Sequence, residues 1–274
     1  MLEKFVFENH LGQRFEGLPN GVYLNPSDLR DYSWNFDTIN GRISRFYKGV
    51  TSRKLPLVVH GKSDDEAVAV MNRLHELAEI DVVENIPGRI YVGDYYTSGF
   101  ITASAKSNFL RKRKHCNIEL TLTSDDPAWY CERAYSFFPS DGAGFIGGYD
   151  YPFEYPHDYA VSMNGRKIVC NSVGSSAFKL QIYGEATNPA VFINGHKYTV
   201  NGTIGKGENL LIDSLRKTIT LSTADGKKVN WFDKRDREKY IFEPLPAGQS
   251  TVTWSGTFGF ILTVIEKRSE PKWI

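Results

Sequence analysis

Six histidines, two adjacent aspartates and two glycine-rich turns are the groups in this 274-residue chain that could do chemistry. Histidine can ligate a metal or carry a proton at neutral pH. A metal site built on one strand or helix spaces its histidines two or four residues apart. His10, His60, His75, His115, His157 and His196 show neither spacing, so only folding could gather them. Asp125 and Asp126 precede Pro127. Neighbouring side chains at a strand end point in different directions, so this reads as a turn rather than an acid–base pair. The sequence GAGFIG at 142–147 matches the dinucleotide fingerprint. That fingerprint needs a strand before it and a helix after it. Pro139 and the following YDYP break both. Gly205, Lys206 and Gly207 lack the spacing of a phosphate loop. No G-x-S-x-G or Cys–His signature supplies a nucleophile. Cys116, Cys131 and Cys170 are an odd set without C-x-x-C, which fits reduced, mostly buried thiols. The sequon at Asn201 means nothing without a secretory route. These residues predict no catalysis, no metal and no cofactor.

Three features invite binding instead. The run KSNFLRKRKH, residues 106–115, is the densest basic stretch. It fits a solvated loop, a contact with a neighbouring subunit, or nucleic acid; thin aromatic interleaving disfavours the last. The side chains that would make an inter-subunit contact are Lys106, Phe109, Arg111, Arg113 and Lys114. Trp231 and Tyr198 could form an aromatic platform for a sugar, the alternative reading of the second half. Finally, the sequence closes on KRSEPKWI. Ordering such a segment costs about 1–2 kcal/mol per residue. One buried Trp returns about 2–3 kcal/mol. Docking of the tail, on its own chain rather than on a neighbour, therefore needs backbone pairing or charge-assisted contacts from Arg268 and Glu270 as well as Trp273.

The elements that would position these groups are mostly strands. Runs rich in Val, Ile, Thr, Tyr and Phe predict strands near residues 4–7, 22–24, 55–60, 89–92, 99–105 and 115–123. One helix is expected from about Asp64 to Glu79. Ser63 and Glu66 make a capping box, and Ala67, Val70, Met71, Leu74, Leu77 and Ala78 line one face. The Gly-, Pro- and aromatic-rich stretch 137–159 reads as an ordered junction. Domains of 1–138 and 139–274 follow. Beyond the junction, strands are expected near 178–183, 210–212, 218–221, 240–242, 251–254 and 258–265. Asn194-Gly195 marks a tight hairpin. The second half thus predicts an antiparallel β-sandwich.

Lys+Arg 33 against Asp+Glu 32 gives a formal charge of +1, which asks for neither nucleic acid nor an acidic membrane. The opening MLEKFVFENH does not resemble a signal peptide, and no run approaches the roughly 18 apolar residues of a spanning helix. Synthesis in a cytoplasm without an ordinary export signal is the expectation.

Several phrases occur together in order: YSW at 32–34, LVVHG at 57–61, NRL at 72–74, GRIYVGDYY at 88–96, GFI at 99–101 and LTLTSDDPAW at 120–129. NP at 188–189, INGHKY at 193–198, GE at 207–208, IDS at 212–214, IFEPLPAG at 241–248, WSG at 254–256 and RSEPKW at 268–273 follow. Together they resemble the distal tail proteins (Dit) of long, non-contractile phage tails, over nearly the whole chain. The resemblance implies a mainly β fold: a ring-forming (belt) domain with one helix, then a galectin-like β-sandwich. It implies a homohexameric hub at the virion tail tip or baseplate. That hub joins the tail tube protein to a tail-associated lysin or fibre protein, and in some relatives to receptor-binding proteins. DNA would only pass through its channel, and no membrane is involved. A wall-degrading hydrolase, which tail tips often carry, finds no support in the residues above.

Overall fold

The computed structural model describes residues 4–107, 114–139 and 166–273. Two compact units emerge: Met1–Cys131 with Lys267–Ile274, and Glu132–Glu266. The boundary lies inside strand Trp129–Phe137, and the last eight residues group with the first unit rather than the second.

Three long antiparallel strands frame the first unit: Thr51–His60, Tyr95–Ser107 and His115–Ser124. Thr51–His60 pairs with His115–Ser124 over its full length, from Thr51 opposite Ser124 to His60 opposite His115. The period-two alternation seen in the sequence decides the faces. Leu55, Leu57, Val59, Ile118, Leu120 and Leu122 are buried, while Lys54, Glu119, His60 and His115 face outward. Val22–Leu24 flanks Thr51–His60, and Gly88–Val92 joins the near end of Tyr95–Ser107. Val6–Glu8 and Arg14–Glu16 extend the sheet beyond Gly88–Val92.

The helix runs Asp64–Glu84, one turn or more past the expected end. Its start is as expected. The Ser63 hydroxyl accepts from the Glu66 N–H at 3.1 Å, and the Glu66 carboxylate accepts from the Lys62 N–H at 2.6 Å. Its extension is explained by Asp81. This buried carboxylate accepts from both the N–H and the ring Nδ1 of His10, at 2.9 and 2.7 Å. Asn85 then closes the helix in the left-handed region at φ 53°. Ala67, Met71, Leu74, Leu77 and Ala78 pack into a core with Phe5, Phe7, Phe15 and Trp129.

The second unit is a sandwich of two antiparallel sheets, as the strand spacing predicts. One contains Lys228–Asn230, Thr218–Ser222, Asn209–Asp213, Ala177–Tyr183 and Gly259–Arg268 in spatial order. Arg166–Cys170, Gly248–Trp254, Ala190–Ile193 and His196–Thr199 make the other. Asn194 and Gly195, with φ of 49° and 79°, form the expected tight turn. Phe178, Leu180, Leu210, Ile212, Trp254, Phe260 and Leu262 fill the space between the sheets. Phe137, from the expected junction, stacks on Phe260 at 4.4 Å. Residues 240–242 are not the expected strand but a turn. Ile241 and Phe242 are apolar because they are buried in the core, not because they pair.

Candidate assembly surfaces

Most of the groups that could do chemistry are occupied or apart; His60 and His115 are brought together, Nδ1 to Nδ1 at 2.9 Å. Asp126 receives the Tyr130 hydroxyl and the Lys267 ammonium. That partnership, with burial, drives the Tyr130 pKa upward, burial being the larger cause. The turn at Gly205 gives its N–H to Glu208 at 2.7 Å, so a carboxylate sits where a phosphate would. The GAGFIG stretch lies outside the described residues. All three cysteines are buried and unbridged. Among the described residues, no group of three histidine, cysteine or acidic side chains is arranged to hold a metal ion. Tyr198, an expected sugar platform, is instead a core residue whose hydroxyl donates to the Glu243 carbonyl at 2.9 Å. Trp231 is half-buried and packs over Gly202.

Of the expected inter-subunit side chains, Phe109, Arg111 and Arg113 lie outside the described residues. Lys106 and Lys114 are exposed, and the Lys106 ammonium donates to the Ser104 hydroxyl of its own strand at 3.1 Å. Arg268, Glu270 and Trp273 all fall in the first unit. Trp273 is 75% exposed and lies beneath the Arg30 guanidinium, 4.2 Å from the ring centre. The Pro271 side chain is buried, and its carbonyl accepts from Arg30 at 3.4 Å. Lys267 completes the attachment by pairing with Asp126 at 3.1 Å. Arg268 and Glu270 are only partly exposed, but the contacts that fix the segment belong to Lys267, Pro271 and Trp273.

A group of exposed apolar side chains lies elsewhere, on a hairpin absent from the sequence expectations. Among the described residues, Asn35–Ile39 and Arg42–Tyr47 pair only with each other. Asn40 and Gly41, at φ 52° and 74°, make the same type of turn as Asn194-Gly195. A bulge follows Asp37, whose carbonyl accepts from the Ser44 hydroxyl at 3.1 Å. Every residue of both strands is exposed, including Phe36, Ile39, Ile43 and Phe46. Trp34 and Val50 add exposed apolar area at its base. A two-stranded hairpin is at best marginal alone in water. A contiguous apolar surface of this kind marks a binding face.

Likeness to other proteins is visible in shape alone. No protein-family model matches the chain, and no curated protein sequence matches it. Among solved structures, the Dit protein of phage SPP1, described as a paradigm of the hub adsorption apparatus of phages infecting Gram-positive bacteria, superposes with a TM-score of 0.57 at 11% identity. The match covers 96% of this chain and 99% of that one. A chain of the phage P2 baseplate in its activated conformation with calcium gives 0.61 at 13% identity, covering 99% and 100%. The same baseplate with strontium gives 0.60 at 13%. The chain therefore has the fold of phage Dit and baseplate hub proteins.

Proposed function

We propose that this chain is a structural, non-catalytic subunit of a phage tail-tip hub, and that copies of it close into a ring, six in the simplest form. The full-length likeness of fold to hub proteins supports the class of role. One observation carries self-association: the hairpin Asn35–Tyr47 exposes apolar residues on a segment that none of the other described residues covers. A ring needs a heterologous interface, one surface of each copy meeting a different surface of the next. A projecting hairpin is suited to that geometry because it can reach past its own unit. The tail tube on one side and a tail-associated lysin or fibre protein on the other are the partners this reading names, with a receptor-binding protein attached in some particles. The protein then ends up in the virion tail.

Light scattering after size exclusion, with electron microscopy of the peak, tests the ring, alone and with the tail tube protein. Replacing Phe36, Ile43 and Phe46 by Ser is expected to abolish association and leave the melting temperature within a few degrees, since all three are exposed. A wild-type protein that stays monomeric at high concentration with the tube protein present overturns the ring. Association that survives the triple variant overturns the hairpin's part in it.

A further inference from the structure

We propose that His60 and His115 form a two-histidine binding site for a divalent transition-metal ion on the outer face of the first unit. The two residues are far apart in sequence but directly opposite each other in the register of neighbouring strands. Their ring centres lie 4.3 Å apart and their Nδ1 atoms face each other at 2.9 Å. At that distance the Nδ1–H of one imidazole donates to the bare Nδ1 of the other, and a metal ion would take the place of that proton. With metal–nitrogen bonds of about 2.0–2.1 Å, a 2.9 Å separation subtends an angle of about 90° at the metal. That is the angle between adjacent ligands in octahedral or square-planar geometry, so the two nitrogens are spaced for one metal ion.

The backbone holds them there. The His60 N–H donates to the Gly21 carbonyl at 2.7 Å, and the Gly61 N–H donates to the Lys114 carbonyl at 3.0 Å. Register slippage, which would separate the rings, is blocked from both sides. Exposure leaves the remaining coordination positions to water or to a group from another molecule. Imidazole ligands favour copper, nickel and zinc over calcium or magnesium. The other described histidines differ. His10 is engaged by Asp81 and Glu84, and His196 by the Tyr240 carbonyl. His75 is held below its usual pKa, chiefly by burial.

The test is calorimetric titration of the untagged full-length protein with copper(II), nickel(II) and zinc(II) chlorides, and electron paramagnetic resonance of the copper form. One high-affinity copper per chain, coupled to two imidazole nitrogens, is expected. His60→Ala and His115→Ala should each weaken it at least about tenfold, as loss of a ligand exceeds loss of a supporting group. Both positions are exposed, and unchanged circular dichroism and melting of the metal-free variants will show that the fold persists. Affinity and nitrogen coupling that are the same in the double variant overturn the site. So does tight binding of calcium with no response to copper, nickel or zinc.

Discussion

At the scale of single residues, the most consequential pairing is one between distant parts of the first unit. His10 packs against Asp81 and Glu84, and the hydrogen bond to Asp81 raises its pKa above the ordinary 6.5. A raised imidazole pKa contributes stability that is fully present below 6.5 and is lost as pH rises through the folded value. The stability gap between wild type and His10→Asn should therefore shrink on going from below 6.5 to well above it. Thermal melts across that range measure it, and a gap that widens with pH contradicts the assignment. None of this was legible in the sequence. Asp81 looks like one more charge on an acidic helix until folding brings His10 to it. The same holds for His60 and His115, whose juxtaposition is a fact of strand register and leaves no local spacing. The tail shows the limit from another side. Its apolar Trp attracted the prediction, whereas the buried contact is made by Pro271, with Arg30 spanning both residues.

Elements were legible where a local rule sufficed. The capping box placed the helix start at the correct residue, and the apolar period gave its buried face. Removing the cap with Ser63→Ala is expected to cost about 1 kcal/mol. Denaturant unfolding would show it, and a loss below a few tenths would mean that Glu66 and the helix dipole already suffice. The helix end was not legible because Ile80, Val82 and Val83 depart from the period, and a tertiary partner carries the last turn. The hairpin at 35–47 was missed for the opposite reason. Its Asn40-Gly41 turn is as strong a signal as Asn194-Gly195, and alternation is present in Phe36, Thr38 and Ile43. Strand reasoning looks for one wet face and one dry face, however, and here neither face is covered. The reverse error occurred at 240–242, where burial without pairing imitated a strand.

For the molecule as a whole, the β-rich first unit with one helix and the two-sheet second unit were both readable from periodicity and turn residues. The grouping of the last eight residues with the first unit was not, because it depends on where strand Gly259–Arg268 delivers them. Each unit has its own buried cluster, and the two clusters share no residue. Leu120→Ala should remove about 2–5 kcal/mol from the first, and Phe260→Ala about 3–5 kcal/mol from the second. Scanning calorimetry is expected to show each variant lowering a different part of the unfolding profile. Identical shifts from both would mean the units unfold as one.

The uncovered hairpin also governs how the protein can be handled. A free copy carries two exposed Phe and two exposed Ile side chains on a ribbon whose outer edges pair with no other described strand, the kind of surface that recruits other chains indiscriminately. Soluble protein should thus be kept by assembly: a variant that blocks ring closure but keeps the ribbon is expected to aggregate non-specifically as its concentration rises, which light scattering would detect.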